Sequence, residues 1–126
     1  MFKKILAILL FGFCGSFLRT ELTLVGQHYL VILTINVLGS FLLAFIAQTL
    51  PALISLSEAT MTGLSVGLVG SFTTFSTFTM DVVTLFTQGA FGLAFAYLAG
   101  SLILSSGAVI LGFRTSLWVT AGVPSK

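Results

Sequence analysis

Residues 71–79 hold the densest group of side chains able to bind an ion, because each one is serine, threonine or phenylalanine. The stretch reads Ser-Phe-Thr-Thr-Phe-Ser-Thr-Phe-Thr, which gives six hydroxyl groups and three aromatic rings. Hydroxyl groups both donate and accept hydrogen bonds, so they can interact with an ion of either sign. The stretch is therefore the first candidate for a functional site.

This many hydroxyl groups disfavours a continuous helix. A helix tolerates a few of them, bonded back to the carbonyl at i−4, but each further hydroxyl competes for backbone groups. Gly67 and Gly70 come just before, and Ser55 with Glu58 fits a capping box that would start the helix. We expect a helix broken near 70–77. In membranes, such breaks expose carbonyls that bind cations and N–H groups that favour anions.

The composition requires a membrane environment for the whole chain. Its 126 residues include only 5 Lys+Arg and 3 Asp+Glu, or 6% charge, with 57% hydrophobic residues and a mean hydropathy of +1.19. A soluble domain carries about 25% charged residues. Five scattered cations make no basic patch for nucleic acid, and a single cysteine excludes a disulfide framework or a cysteine zinc site. The class that fits is an all-α integral membrane protein.

The positions of the charges define four spans. Between Glu21 and Glu58 lie 36 residues without an aspartate, glutamate, lysine or arginine, and a span needs about 20 apolar residues. Continuous apolar runs do not alternate as in a β-barrel. Lys3 and Lys4 before an apolar run resemble a signal peptide, but we expect this segment to be retained as the first span. We predict one domain, 1–126, with transmembrane helices at about 4–24, 29–50, 58–86 and 90–113.

Two further polar residues have more than one interpretation. Asn36 lies within the second span, where an amide either joins helices or lines a pathway. Arg19 lies near the end of the first span, where it could reach the headgroups or pair internally, with Glu21 and Asp81 as candidate partners. His28 alone does not make a metal site.

Several motifs together resemble one family. The motifs are Gly12-x-x-Gly15-x-x-x-Arg19, Asn36-x-x-Gly39, Gly67-x-x-Gly70-x-x-Thr73-Thr74-Phe75-Ser76-Thr77-Phe78 and Gly100-Ser101. Their order and spacing closely resemble the Fluc fluoride-channel family, also called CrcB. The resemblance covers nearly the whole chain, and the Thr-Thr-Phe-Ser-Thr-Phe run is its most specific part.

The resemblance implies a fold and a function. Members are dimers of two antiparallel four-helix subunits, with the third helix broken at mid-membrane. They conduct fluoride passively, reject chloride and relieve fluoride toxicity in microbes. A structural sodium ion is held by backbone carbonyls, for which the matching positions here are Gly70 and Thr73.

The resemblance also implies a fluoride pathway and a vestibule. Arg19 matches an arginine near the vestibule, and Tyr97 is bulkier than expected at its position, which bears on the pore width. Thr79 stands where serine is usual. The matching pathway residues are Asn36, Thr74, Phe75, Ser76, Thr77, Phe78, Thr79 and Ser101.

The orientation of the chain leaves two hypotheses. Four spans put both termini on one side, which carries four cations: Lys3, Lys4, Arg114 and Lys126. The other side has only Arg19, so the positive-inside rule favours cytoplasmic termini. An antiparallel homodimer needs both orientations. If the chain forms the antiparallel dimer that the resemblance implies, two copies pair as a dual-topology homodimer, or one copy pairs with an oppositely oriented paralogue in a heterodimer.

Three other functional classes fit the sequence less well. A small multidrug exporter subunit relies on a glutamate inside the first helix, whereas Glu21 lies at its end. A non-conducting assembly subunit would not need the cluster at 71–79. An enzyme is not expected, because the sequence offers no nucleophile–base pair, no metal cluster and no second acid near Asp81.

Overall fold

Four long apolar helical spans make up the protein in a computed structural model that describes residues 1–122. Lys126, counted above among the cations at the termini, lies outside the described residues. Each span is long and apolar enough to cross a membrane, which confirms the four predicted spans. The observed bounds are Phe2–Val25 (α1), His28–Leu53 (α2), Glu58–Thr87 (the third span) and Phe91–Thr120 (α6).

The main departure from the predicted bounds is at the end of the fourth span. We expected this helix to stop at 113, before Arg114, but it continues to Thr120. A long arginine side chain can reach the headgroups from within a helix, so one charge does not end the helix. The positions of the charges therefore predicted the apolar stretch of the fourth span but not the residue at which its helix ends.

Short turns join the spans and fix their relative directions. Gly26 and Gln27 separate α1 from α2, and residues 54–57 separate α2 from the third span. The turn before α6 contains Gly89, whose φ of 75° is the only positive value among the described residues. That conformation is strained for residues with a Cβ atom. Because the turns are short, successive spans run antiparallel.

The third span consists of four helical pieces. A short helix α3 (Glu58–Thr62) continues as a π-helical segment (Gly63–Val69) and a last turn α4 (Gly70–Phe72), and a separate helix α5 (Phe75–Thr87) follows. Between the last two pieces, Thr73 and Thr74 have extended backbones, with ψ of 155° and 111°. The helical hydrogen-bond ladder is interrupted at these two residues.

The start of the third span differs from the predicted capping box. The N-cap is Ser57, whose hydroxyl accepts from the Thr60 backbone N–H at 3.1 Å, and Ser55 takes no part. Glu58 pairs instead with Lys4 at the start of α1. A cap acts on the residues directly after it, so the serine next to the first helical residue takes this role.

Glycines allow the helices to pack closely. α1 packs against the π-helical segment, where a Cβ atom on Gly15 would lie 2.2 Å from the Leu68 carbonyl oxygen. α2 packs against α6, where a Cβ atom on Gly112 would lie 2.6 Å from the Phe41 carbonyl oxygen. In lipid, close backbone approach of this kind drives helix association. The first pair holds the first half of the third span against α1, and α6 also packs against α5 in its second half.

Candidate functional site

The interruption of the third span is held by one side chain from α2. The Asn36 side-chain N–H donates to the Thr74 carbonyl oxygen at 3.0 Å, and the Asn36 side-chain oxygen accepts from the Thr74 backbone N–H at 2.9 Å. The amide thus binds both polar backbone groups of a residue that lies outside any helix. An unpaired backbone group inside a bilayer costs several kcal/mol, so Asn36 stabilises the interruption.

Thr74 also starts the next helix. Its hydroxyl accepts from the Thr77 backbone N–H at 3.3 Å and lies 2.9 Å from the Thr77 hydroxyl. This is the usual arrangement of an N-cap threonine. The side chains of Thr74 and Thr77 therefore bond to each other at the start of α5, and Thr74 is only 4% exposed.

The two helix ends at the interruption carry opposite partial charges. Among the described residues, no backbone N–H donates to the carbonyl of Gly70 or Thr73; the Thr73 hydroxyl lies 3.5 Å from the Gly70 oxygen. On the other side, α5 begins at Phe75 with its N-terminal N–H groups. Free carbonyls at a helix C-terminus favour a cation, and free N–H groups at an N-terminus favour an anion.

A groove of about 320 Å3 runs beside the interruption, between α2, the third span and α6. Phe75 and Phe78 lie along it with their ring centroids 6.2 Å apart. Charged side chains are absent from its lining in the described part of the chain. The residues that line it are Asn36, Gly39, Ser40, Leu43, Val69, Gly70, Thr73, Phe75, Phe78, Ser101, Leu102, Ser105 and Ser106.

The groove contains a hydroxyl group that has no partner. Ser101 is 6% exposed, and its oxygen makes no hydrogen bond to any described residue. A buried hydroxyl without a partner is costly. Because Ser101 lines the groove, its hydroxyl is available to a molecule or ion inside it.

Six of the predicted site residues lie together and the others do not. The groove lining includes Asn36, Gly70, Thr73, Phe75, Phe78 and Ser101.

The remaining predicted residues do not line the groove, although Thr74 is bonded to Asn36 beside it. Thr74 and Thr77 form the cap described above. Ser76 is exposed, and Thr79 is exposed with its hydroxyl donating to the Phe75 carbonyl at 2.9 Å. Arg19 lies on α1, which contributes no residue to the groove.

The Asp81 carboxylate pairs with residues other than Arg19. Asp81 is 7% exposed; its Oδ1 lies 2.7 Å from His28 Nε2, and its Oδ2 accepts from the Tyr97 hydroxyl at 3.3 Å. The expectation that Asp81 could pair with Arg19 is therefore wrong. Asp81 lies on α5, which packs against α6, whereas Arg19 lies on α1, which packs against the first half of the third span.

The Tyr97 ring, which bonds to Asp81 through its hydroxyl, is part of a small buried cluster that includes Phe78. Its centroid lies 5.2 Å from that of Phe78 and 5.6 Å from that of Tyr29. Tyr97 does not line the groove itself but packs against Phe78, which does.

Sequence reasoning missed two sets of residues. Ser40, Ser105 and Ser106 add hydroxyls to the groove, and their spacing from Asn36 and Ser101 on the same helices, four to five residues, could have identified them. The His28–Asp81 pair joins residues 53 positions apart. No local pattern indicates such a contact.

Comparison with known proteins gives a consistent result. The family model described as "CrcB-like protein, Camphor Resistance (CrcB)" matches residues 6–113. A relative from Lactiplantibacillus plantarum, named fluoride-specific ion channel FluC 2, is 43% identical over 121 residues, covering 93% of this chain and 95% of the relative. The fluoride-specific ion channel FluC of Jannaschia sp. is 44% identical over 103 residues, covering 80% and 90% of the two chains. A third relative, FluC 2 of Ligilactobacillus salivarius, is 40% identical over 118 residues.

We predict that Asn36→Leu destabilises the folded protein. The substitution keeps the volume but removes both hydrogen bonds, leaving the Thr74 N–H and C=O unpaired at about 1–3 kcal/mol each. Thermal unfolding of the detergent-purified protein, followed by size-exclusion chromatography after heating, measures the loss. Ser40→Ala is the matched control: it lies one turn away on α2, and its hydroxyl bonds only to the Asn36 backbone carbonyl. Equal melting of Asn36→Leu and Ser40→Ala would show that the amide does not stabilise the interruption.

Proposed function

Because the chain belongs to the CrcB family, we propose that it is a fluoride-selective channel through which fluoride leaves the cell passively, relieving fluoride toxicity. Its relatives at about 40% identity are named fluoride-specific ion channels. A channel of this kind is not an enzyme. With four membrane-spanning helices, the chain is a multi-pass protein, and we assign it to the bacterial cell membrane.

The uncharged groove beside the interruption is the observation that supports this function most strongly. Fluoride must lose water to enter a narrow path, and hydroxyl and amide N–H groups can donate hydrogen bonds in its place. The edges of the Phe75 and Phe78 rings carry partial positive charge and can face the anion. Conduction requires binding weak enough to allow release, and the described groove lining offers no lysine or arginine that would hold the ion tightly.

The groove residues have separate proposed roles. Asn36 holds the interruption and keeps one side-chain N–H for the anion, because its nitrogen has two protons and one is bonded to Thr74. Ser101 supplies a free hydroxyl. Thr74 and Thr77 act indirectly, by fixing the N-terminus of α5.

For three further residues, the proposed role rests on the family resemblance and not on a contact with the groove. We propose that Ser76 and Thr79, both exposed, extend the pathway where a second subunit would meet them, and that Arg19 lies at the vestibule.

A second subunit would complete the pathway. Phe75 is 79% exposed although it lines the groove, and Gly70 beside it is exposed as well. We propose that an antiparallel second subunit covers this face. Thr73 lies halfway along Glu58–Thr87, which supports an interruption at mid-membrane.

The identity of that subunit has two candidates. One is a second copy of this chain in the opposite orientation, and the other is a paralogue. Relatives numbered FluC 1 and FluC 2 suggest that some genomes carry two such proteins. The small-multidrug-exporter and assembly-subunit alternatives are not favoured, since the named relatives are channels.

We further propose that Gly70 and Thr73 hold a structural sodium ion. The residues fit the ion, because neither carbonyl accepts a backbone hydrogen bond within the described chain and backbone carbonyls suit an alkali cation. Two oxygens from each of two subunits would give four ligands. The bound ion would supply positive potential next to the anion path.

Fluoride efflux from liposomes tests the channel assignment. We expect protein reconstituted into liposomes loaded with potassium fluoride to release fluoride after valinomycin is added, while chloride-loaded liposomes release almost none. Phe75→Ile and Phe78→Ile should each lower the fluoride rate about fivefold, since an aromatic contact contributes about 1 kcal/mol. Phe13→Ile, at an exposed position on α1, is the matched control and should conduct like the wild type. Chloride release as fast as fluoride release would contradict the assignment.

Sodium removal tests the proposed cation site. Protein exchanged into N-methylglucamine chloride should melt at a lower temperature than protein in sodium chloride, and added sodium should restore stability where potassium does not. At sodium concentrations about 100-fold above Kd, the gain is about 2.7 kcal/mol. Thr73→Ala keeps the carbonyl and should keep the sodium response. A melting temperature independent of sodium would exclude the site.

A further inference from the structure

Asp81 is the one carboxylate among residues 1–122 that lies buried. It lies within the third span, on the same helix as Phe75 and Phe78. An ionised carboxylate there is costly unless it is paired, and it repels an anion that passes nearby. The groups bonded to Asp81 therefore affect both the fold and the fluoride pathway.

His28 connects this carboxylate to the solvent. Its Nε2 lies 2.7 Å from Asp81 Oδ1, and since an ionised carboxylate only accepts, this nitrogen is the donor. The His28 side chain is 53% exposed, whereas that of Asp81 is 10% exposed. Because His28 is also the first residue of α2, at the end of that span, solvent protons can reach the imidazole but not, directly, the carboxylate.

Asp81 connects His28 to the pathway. Its second oxygen accepts from the Tyr97 hydroxyl at 3.3 Å, and the Tyr97 ring packs against Phe78 with centroids 5.2 Å apart. Phe78 lines the groove. A chain of three contacts therefore runs from the solvent-exposed imidazole to a ring of the proposed fluoride path.

Few other titratable groups influence the pair. Tyr97 on α6 and Tyr29 on α2 are its neighbours; the Tyr29 ring lies 5.6 Å from the imidazole. On α1, Arg19 and Glu21 form no ion pair with either residue in the described structure. His28 is also the only histidine of the chain. A change in charge near neutral pH at this end therefore points to one side chain.

We propose that His28 is a proton-dependent positioning residue that sets the charge next to this end of the fluoride pathway. When the imidazole is neutral, the His28–Asp81 pair has a net charge of −1 and disfavours fluoride. When the imidazole takes a proton from the solvent, the pair becomes neutral, the contact to Asp81 becomes an ion pair, and fluoride enters more readily. This proposal rests on the fluoride-channel function proposed above.

Fluoride efflux at equal pH inside and outside the liposomes tests the proposal, after subtraction of the leak from protein-free liposomes. From about pH 8 to about pH 5.5, the wild-type rate should rise about twofold, a small effect because the Tyr97 and Phe78 rings lie between the pair and the groove and the influence of one charge weakens with distance. His28→Gln keeps a neutral donor and should stay at the slow rate at every pH. His28→Arg is always charged and should stay at the fast rate.

A histidine placed elsewhere at the same end serves as the matched control. Gln88→His in the His28→Gln background adds a titratable imidazole at an exposed turn residue, seven positions after Asp81 in the sequence, and the rate should remain independent of pH. Size-exclusion profiles verify that each variant is folded, and His28→Arg gives a second test if His28→Gln folds poorly.

The outcomes separate this proposal from the channel assignment. If wild type and His28→Gln show the same pH dependence, the role of His28 is wrong and the channel function stands. If Gln88→His restores the pH dependence, contact with Asp81 is not required and the proposal is also wrong. If the wild type releases no fluoride at any pH, the channel function fails, and this proposal fails with it.

Discussion

The contact between the Asn36 amide and the backbone of Thr74 stabilises the interruption of the helix in the third span. A bilayer offers no water to bond to exposed N–H and C=O groups, so a helix can be interrupted only where another part of the protein replaces those bonds. Asn36 supplies both replacements from α2, and the Thr74 hydroxyl then caps α5. Among the described residues, the carbonyls of Gly70 and Thr73 accept no backbone hydrogen bond, and the N-terminus of α5 lies on the other side of the interruption that this contact stabilises.

The distribution of charge suits an anion pathway that must release its ion. Partial charges are concentrated at the interruption, where helix ends, hydroxyls and aromatic edges meet in a groove. One formal charge, that of Asp81, lies on the same helix as Phe75 and Phe78 and is bonded to His28 and Tyr97. Weak donors along the path and the absence of a cation from its described lining together favour transient binding over tight binding.

Much of this architecture follows from the sequence, for physical reasons that can be named. Long stretches with few charges, and the short breaks between them, located the four spans, because such stretches fit only in lipid. Local patterns predicted that the hydroxyl-rich stretch interrupts the helix. They did not predict what each hydroxyl bonds to: those of Thr74 and Thr77 bond to each other at the helix cap. The contacts of Asn36 with Thr74 and of His28 with Asp81 join distant parts of the chain, so only helix packing determines them.

Chemical modification of the groove tests the central claim, that fluoride passes beside the interrupted span. Ser101→Cys would be made in a Cys14→Ala background, leaving one thiol in the groove, and fluoride efflux would be measured before and after reaction with a small methanethiosulfonate reagent. Phe13→Cys in the same background provides an exposed thiol on α1. The account predicts that modification at position 101 stops efflux while modification at position 13 does not. Undiminished fluoride efflux from protein fully modified at position 101 would contradict it.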